Sequence, residues 1–183
     1  MKNDLITEAQ RLKAARDIVY RYNEPISVKD YAFLFGSWIV SKNTQCLTNA
    51  RVAVRTTKHV DLPVIDTQKD QNFDWNRFNL YFTRILKKLN ATKQYCEIPL
   101  SEAVIKRIGK EGQKEYYADD PERLIKYGDT WVTKWNLYLA VYALGGENTK
   151  LKYFMDDNKD KIVILSSNGI AVIAEIVRGD LND

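Results

Sequence analysis

His59 is the single histidine of the 183-residue chain, and Cys46 and Cys96 are its two cysteines. One imidazole denies the chain a two-histidine metal site or an HNH-type nuclease centre, both of which need a second ligand. A Ser-His-Asp triad would have to use His59, yet no nucleophile-elbow glycine pattern surrounds any serine. The eight glycines form neither GxGxxG nor GxxxxGK[ST], so no loop is built to cradle a nucleotide phosphate. The carboxylates Asp61, Asp66, Asp70 and Asp74 are spaced for a divalent-metal site only if their loop folds back on itself; otherwise they are a polar approach to a helix capped by Asn72 or Asp74. Asp156, Asn158 and Asp160 imitate the front of a calcium loop, but Lys161 stands where glycine is needed and Ser167 where a bidentate glutamate is needed. A tight polar turn between two strands is the simpler account. No catalytic residue, metal ligand or cofactor is assigned. The cysteines are expected to be free thiols, as in a reducing compartment.

The basic residues carry more. Arg77, Arg84 and Lys88 follow one another at steps of seven and four. On a helix they share one face and span about 16 Å at 1.5 Å per residue, the reach of several consecutive backbone phosphates. Arg51 and Arg55 share a strand face with Lys58 just beyond, and Lys106, Arg107 and Lys110 form a third set. Tyr116 and Tyr117 sit in a polar stretch where they could stack on a base or anchor a protein interface. Residues 1–110 carry 19 Lys and Arg against 11 Asp and Glu, whereas residues 111–183 carry 9 against 13. This polarity suits an anionic partner, either nucleic acid or a nucleoprotein complex, or a homodimer that joins a basic half to an acidic half. Chance asymmetry of a solvated surface is the alternative.

The elements that must hold these side chains follow from periodicity. Leu5, Ala9, Leu12, Ala15, Val19 and Tyr22 predict an amphipathic helix over residues 4–22, stopped by Pro25. Ser27 and Asp30 cap a second, buried helix running to Val40. Ala32 and Gly36 also give residues 27–51 the first half of a helix-turn-helix, though Lys42 and Gln45 fall where that motif is apolar. Residues 51–58 alternate as a strand, with Val52 and Val54 facing one way and Arg51, Ala53, Arg55 and Thr57 the other. A loop follows over residues 59–71. Trp75, Phe78, Tyr81, Phe82, Ile85, Leu86 and Leu89 mark the clearest helix, over residues 73–90, with Arg77, Arg84, Lys87 and Lys88 opposite. Ser101 opens a shorter helix ending near Gly109 and Gly112, Asp120-Pro121 a further one, and Asp129 caps a run over residues 130–144. At the C-terminal end, residues 161–167 and 170–177 are β-branched runs joined by Asn168-Gly169, and residues 151–155 add a third antiparallel strand.

The expected fold is α+β in one domain over residues 1–183: a helical N-terminal two-thirds with one inserted strand or hairpin, then a C-terminal antiparallel β-meander. The longest apolar stretch, residues 31–40, is half the length of a bilayer span, and no apolar targeting segment opens the chain, so a cytoplasmic location without a membrane partner is expected. The expected function is binding of nucleic acid, or of a complex that handles it. A nuclease or other enzyme whose site is not visible as a motif is the alternative, and a virion or assembly subunit the second. In composition the chain, short, motif-free and rich in Lys, Asn and Tyr, resembles phage and mobile-element accessory proteins. That resemblance implies a role such as inhibition of a host defence complex of the CRISPR type, exerted in the host cytoplasm.

Overall fold

Thr7 and Gln10 begin the first helix with a reciprocal cap: the Gln10 amide donates to Thr7 Oγ1 at 3.3 Å and the Thr7 amide to Gln10 Oε1 at 2.9 Å. This computed structural model describes residues 5–20, 35–49, 51–62, 75–91, 96–114, 124–127, 130–156, 159–173 and 177–178. The elements, in chain order, are α1 (Glu8–Tyr20), β1 (Phe35–Ser41), β2 (Thr44–Asn49), β3 (Val52–Thr56), α2 (Trp75–Ala91), β4 (Cys96–Pro99) and α3 (Glu102–Gly112). They continue with β5 (Leu124–Tyr127), β6 (Thr130–Thr133), α4 (Lys134–Leu144), β7 (Lys150–Asp156), β8 (Lys159–Ser166), β9 (Gly169–Ile173) and β10 (Val177–Arg178).

Seven strands make one antiparallel sheet in the order β1-β2-β3-β9-β8-β7-β4, and β10-β6-β5 make a second. The large sheet is two meanders, β1-β2-β3 and β7-β8-β9, welded where β3 pairs with β9 from Val52↔Ile173 to Thr56↔Gly169. Strand alternation then decides which side each residue covers. Leu47, Val54, Leu151, Ile162, Ile164, Ala171 and Ile173 pack under α1, α3 and α4. Cys46, Ala53, Val163, Ile170 and Val172 meet Phe82, Ile85 and Leu89 of α2 on the other side. The sheet is therefore the middle of three layers.

Helix α4 is buried from Asn136 to Leu144 because it lies on β3 and β9 with α1 packed beside it on the sheet and α3 against it, which explains a sequence apolar on all sides. Thr133 caps it, accepting from the Asn136 amide at 3.2 Å. Helix α3 approaches it through Gly109 and Gly112, which rest on Tyr142 and Tyr138, and Tyr142 Oη donates to the Ile105 carbonyl at 3.2 Å. Helix α1 is fastened by Arg11, 1% exposed, whose Nη1 meets Glu8 at 3.0 Å and whose Nη2 donates to the Lys58 carbonyl at 2.8 Å.

The helical N-terminal two-thirds is contradicted. Three strands precede residue 60, where one strand or hairpin had been expected, and β4, β5 and β6 lie between the helices that follow. The fold is mixed α and β. The buried helix to Val40 and the helix-turn-helix both give way to the β1–β2 hairpin, Phe35↔Asn49 to Ser41↔Thr44. The reason is pairing: the aromatic and β-branched residues that read as an all-round apolar helix are half of a strand pair whose partner, Thr44–Asn49, is polar at Thr44, Gln45, Thr48 and Asn49. The Ser27–Asp30 cap, Tyr22, the residue 63–71 loop and the Asp120-Pro121 helix entry lie outside the described residues; the chain after that entry is strand β5. The run predicted as helix over residues 130–144 splits at Thr133 into β6 and α4. In α1 the buried side is Arg11, Ala14, Ala15 and Ile18, while Ala9 is exposed, so the helix is rotated from the expected stripe.

The C-terminal hairpin joins β8 to β9, but its turn lies one residue earlier than expected. Ser166 pairs with Gly169, leaving Ser167 and Asn168 as the loop. Gly169 has φ +143° and its Cα faces the Arg55 carbonyl, a combination only glycine accommodates. Strands β7 and β8 pair as far as Asp156↔Lys159, and the two residues that connect them lie outside the described ones. Among the described residues no helix is long and apolar enough to cross a membrane.

Candidate nucleic-acid interface

Helix α2 carries no acidic residue. Burying Phe82, Ile85 and Leu89 against the sheet turns Arg84 and Lys87 to solvent, both exposed, with Leu80, 47% exposed, one turn before Arg84. Lys88 is half-buried at the flank. Strand register extends this face. Arg55 follows Ala53 on the α2 side of β3, and its Cζ lies 5.2 Å from the Phe82 ring centroid. Lys161 precedes Val163 on the α2 side of β8, with Nζ 5.7 Å from the Tyr81 ring centroid. Lys152 is opposite Val163 and Lys150 opposite Leu165, so both lie on the same face near the β4 edge.

Glu97 of β4 and, by the alternation of β7, Asp156 are the acidic positions of this face among the described residues, and Glu97 is held by Lys150 at 3.1 Å and Lys152 at 3.0 Å. Hydrogen bonds from Lys152, then Lys150, hold its carboxyl below the usual glutamate range. The opposite layer is mixed in sign: Glu8 meets Arg11 and Lys58, Glu102 meets Lys106, and Glu111 meets Lys134.

The predicted site residues separate accordingly. Arg55, Arg84 and Lys88 come together on the α2 face. Arg77 belongs to α2, but its side chain is outside the described ones. Arg51 is exposed before β3, in the turn where Asn49 Oδ1 accepts from its amide at 3.1 Å. Lys58 departs to the other layer, 3.6 Å from Glu8. Tyr116 and Tyr117 lie outside the described residues. Lys87, Lys150, Lys152 and Lys161 belong to the face and were not among the predicted site residues. Lys161 was findable from the alternation Lys161, Val163, Leu165; Lys150 and Lys152 needed the β7–β8 register.

Arg55 also lines an open cleft of about 690 Å³, where the β1–β2 turn, the end of β3, the β8–β9 hairpin and Leu86 of α2 meet. Beneath it the Cys46 thiol is pushed up to about 12 by burial, against the weaker pull of the Arg55 charge. Of the four carboxylates read as a metal candidate, Asp61 is exposed and Asp66, Asp70 and Asp74 lie outside the described residues; His59 is exposed. Among the described residues no group of three or more His, Cys, Asp and Glu could hold a metal. No family model, curated protein or solved structure matches the chain.

Proposed function

We propose that this chain binds nucleic acid through the α2 face, by contacts to backbone phosphates. The observation that carries the reading is charge: Arg55, Arg84, Lys87, Lys88, Lys150, Lys152 and Lys161 share that face, against Glu97 and, by the alternation of β7, Asp156 among the described residues. Folding alone needs the apolar side of α2; it does not need like charges on the outer side, and a polyanion relieves their mutual repulsion. Leu80, exposed in line with Arg84, adds an apolar contact of the kind that sugars and base edges accept.

The test is salt dependence. Each phosphate neutralised contributes about −0.9 to the slope of log K against log salt on B-form DNA. Arg84→Ala with Lys87→Ala should flatten the slope by about 1.8. Exposed substitutions of this kind change stability by no more than about 0.5 kcal/mol. A folded double variant with unaltered affinity and slope would remove this face from consideration.

A further inference from the structure

We infer that the cleft beside Arg55 is a nucleotide subsite, which takes one nucleoside monophosphate unit, base against the aliphatic wall and phosphate against the cation and hydroxyls. The inference rests on the nucleic-acid reading for its choice of ligand and adds to it a preference for unpaired nucleotides. The cleft's volume of about 690 Å³ is within the roughly 300–1,000 Å³ of small-ligand sites. Its lining divides by chemistry. Val40, Leu86, Leu165 and Ile170 form an aliphatic side, and all four pack on the α2 cluster. Ser41 and Thr44 supply hydroxyls and Arg55 a permanent cation, and among the described residues the lining holds no carboxylate.

The polar groups are placed rather than loose. Phe82 supports the Arg55 guanidinium from one side at 5.2 Å. Ser41 Oγ accepts from the Asn43 amide at 3.4 Å, which leaves its O–H to donate. Thr57 Oγ1 donates to the Asn168 carbonyl at 3.2 Å, which ties the end of β3 to the hairpin that closes the cleft. A guanidinium and hydroxyl donors next to an aliphatic wall recognise an anion with a flat apolar body. A base inside a duplex presents no such body, because its faces are stacked; an unstacked base does. Leu86, in the cleft lining, and Lys87, exposed, are consecutive residues of α2, so the cleft borders the helix that carries the outer cations.

The experiment titrates the full chain by calorimetry with AMP, adenosine and inorganic phosphate, then with a 12-nucleotide single strand and a blunt duplex of the same sequence. AMP should bind at least tenfold more tightly than adenosine or phosphate, and the single strand more tightly than the duplex. Arg55→Gln and Thr44→Val should each weaken AMP several-fold or more, with melting temperatures recorded for both. The pair covers the chance that Arg55→Gln loosens its support on Phe82. Arg84→Ala with Lys87→Ala should leave AMP binding unchanged and weaken the single strand. Competition separates the sources: if the strand displaces AMP, the occupant is a nucleotide within a strand; if AMP binds and the strand does not compete, it is a free nucleotide, and the nucleic-acid reading falls while the subsite stands. Absence of saturable AMP binding, or AMP binding indifferent to both Arg55→Gln and Thr44→Val, overturns the subsite and leaves the phosphate-contact reading to its own salt test.

Discussion

The side chain of Gln45 pairs with the backbone of Val60 as a neighbouring strand would. The Val60 amide donates to Gln45 Oε1 at 2.7 Å and Gln45 Nε2 donates to the Val60 carbonyl at 3.0 Å, with a further bond from Nε2 to Ser37 Oγ at 2.9 Å. Gln45 and Ser37 are fully buried and Val60 nearly so. One amide thus supplies an acceptor and both donors where the chain beyond β3 crosses β2 with no strand to pair it.

Gln45→Leu should therefore be among the most destabilising substitutions in the sheet. It keeps the volume but leaves a buried N–H and a buried C=O without partners, each costing about 1–3 kcal/mol. Urea unfolding should show a loss of about 2–6 kcal/mol; a loss under 1 kcal/mol means water or the backbone replaces the amide.

Gly112→Ala should separate α3 from α4. A methyl there would overlap Tyr138 Cβ and come 2.7 Å from the Lys134 carbonyl oxygen, a backbone atom that cannot swing aside. Overpacking of this kind costs about 1–3 kcal/mol, against a gain of about 0.5–1 kcal/mol expected of alanine over glycine in an open helix. A variant as stable as the parent would mean that the two helices are free to move apart.

Stability should fall on the alkaline side. Burial raises the Cys46 thiol from 9.0 to about 12, and burial is the first cause of the raised Tyr138, Tyr142 and Tyr127 hydroxyls. A folded-state pKa above the unfolded one gives stability that is complete below the unfolded value and is lost as pH rises toward the folded one. Melting temperatures should hold up to about pH 9 and decline above it. Cys46→Val and Tyr138→Phe should each make the decline shallower. In the same window iodoacetamide should modify Cys46 only on unfolding, since the thiolate is the reactive form.

Glu97→Gln should strengthen nucleic-acid binding at low salt and steepen its salt dependence, because it removes the carboxylate that holds Lys150 and Lys152. Those pairs are only partly exposed, with Lys152 the most covered, so the melting temperature at neutral pH should fall slightly. Unchanged binding would place the contact surface away from the β4 edge.

Local signals were legible where a segment's neighbours are close in sequence. Residues 73–90 gave α2 because Phe82, Ile85 and Leu89 repeat at helical spacing. Residues 51–58 gave β3 with its two faces correctly sorted, and Ser101 gave the cap of α3, where it accepts from the Val104 amide. The sequence by itself also determined that Arg84 and Lys87 face solvent, since the apolar stripe of an amphipathic helix dictates where its opposite side goes. What it did not determine was anything decided by pairing at a distance. The residues of β1 are apolar enough for a buried helix, and only hydrogen bonding to the polar strand β2 makes them a strand. Gln45 reads as a solvent-facing residue until Val60 crosses it. The cationic face needs the β3–β9 weld and the β7–β8 register to bring Arg55, Lys161, Lys152 and Lys150 to the side of α2. Periodicity reports the environment of one segment, whereas a sheet is built from backbone partners chosen across the whole chain, so the helix face was written in the sequence and the surface around it was settled by the tertiary fold.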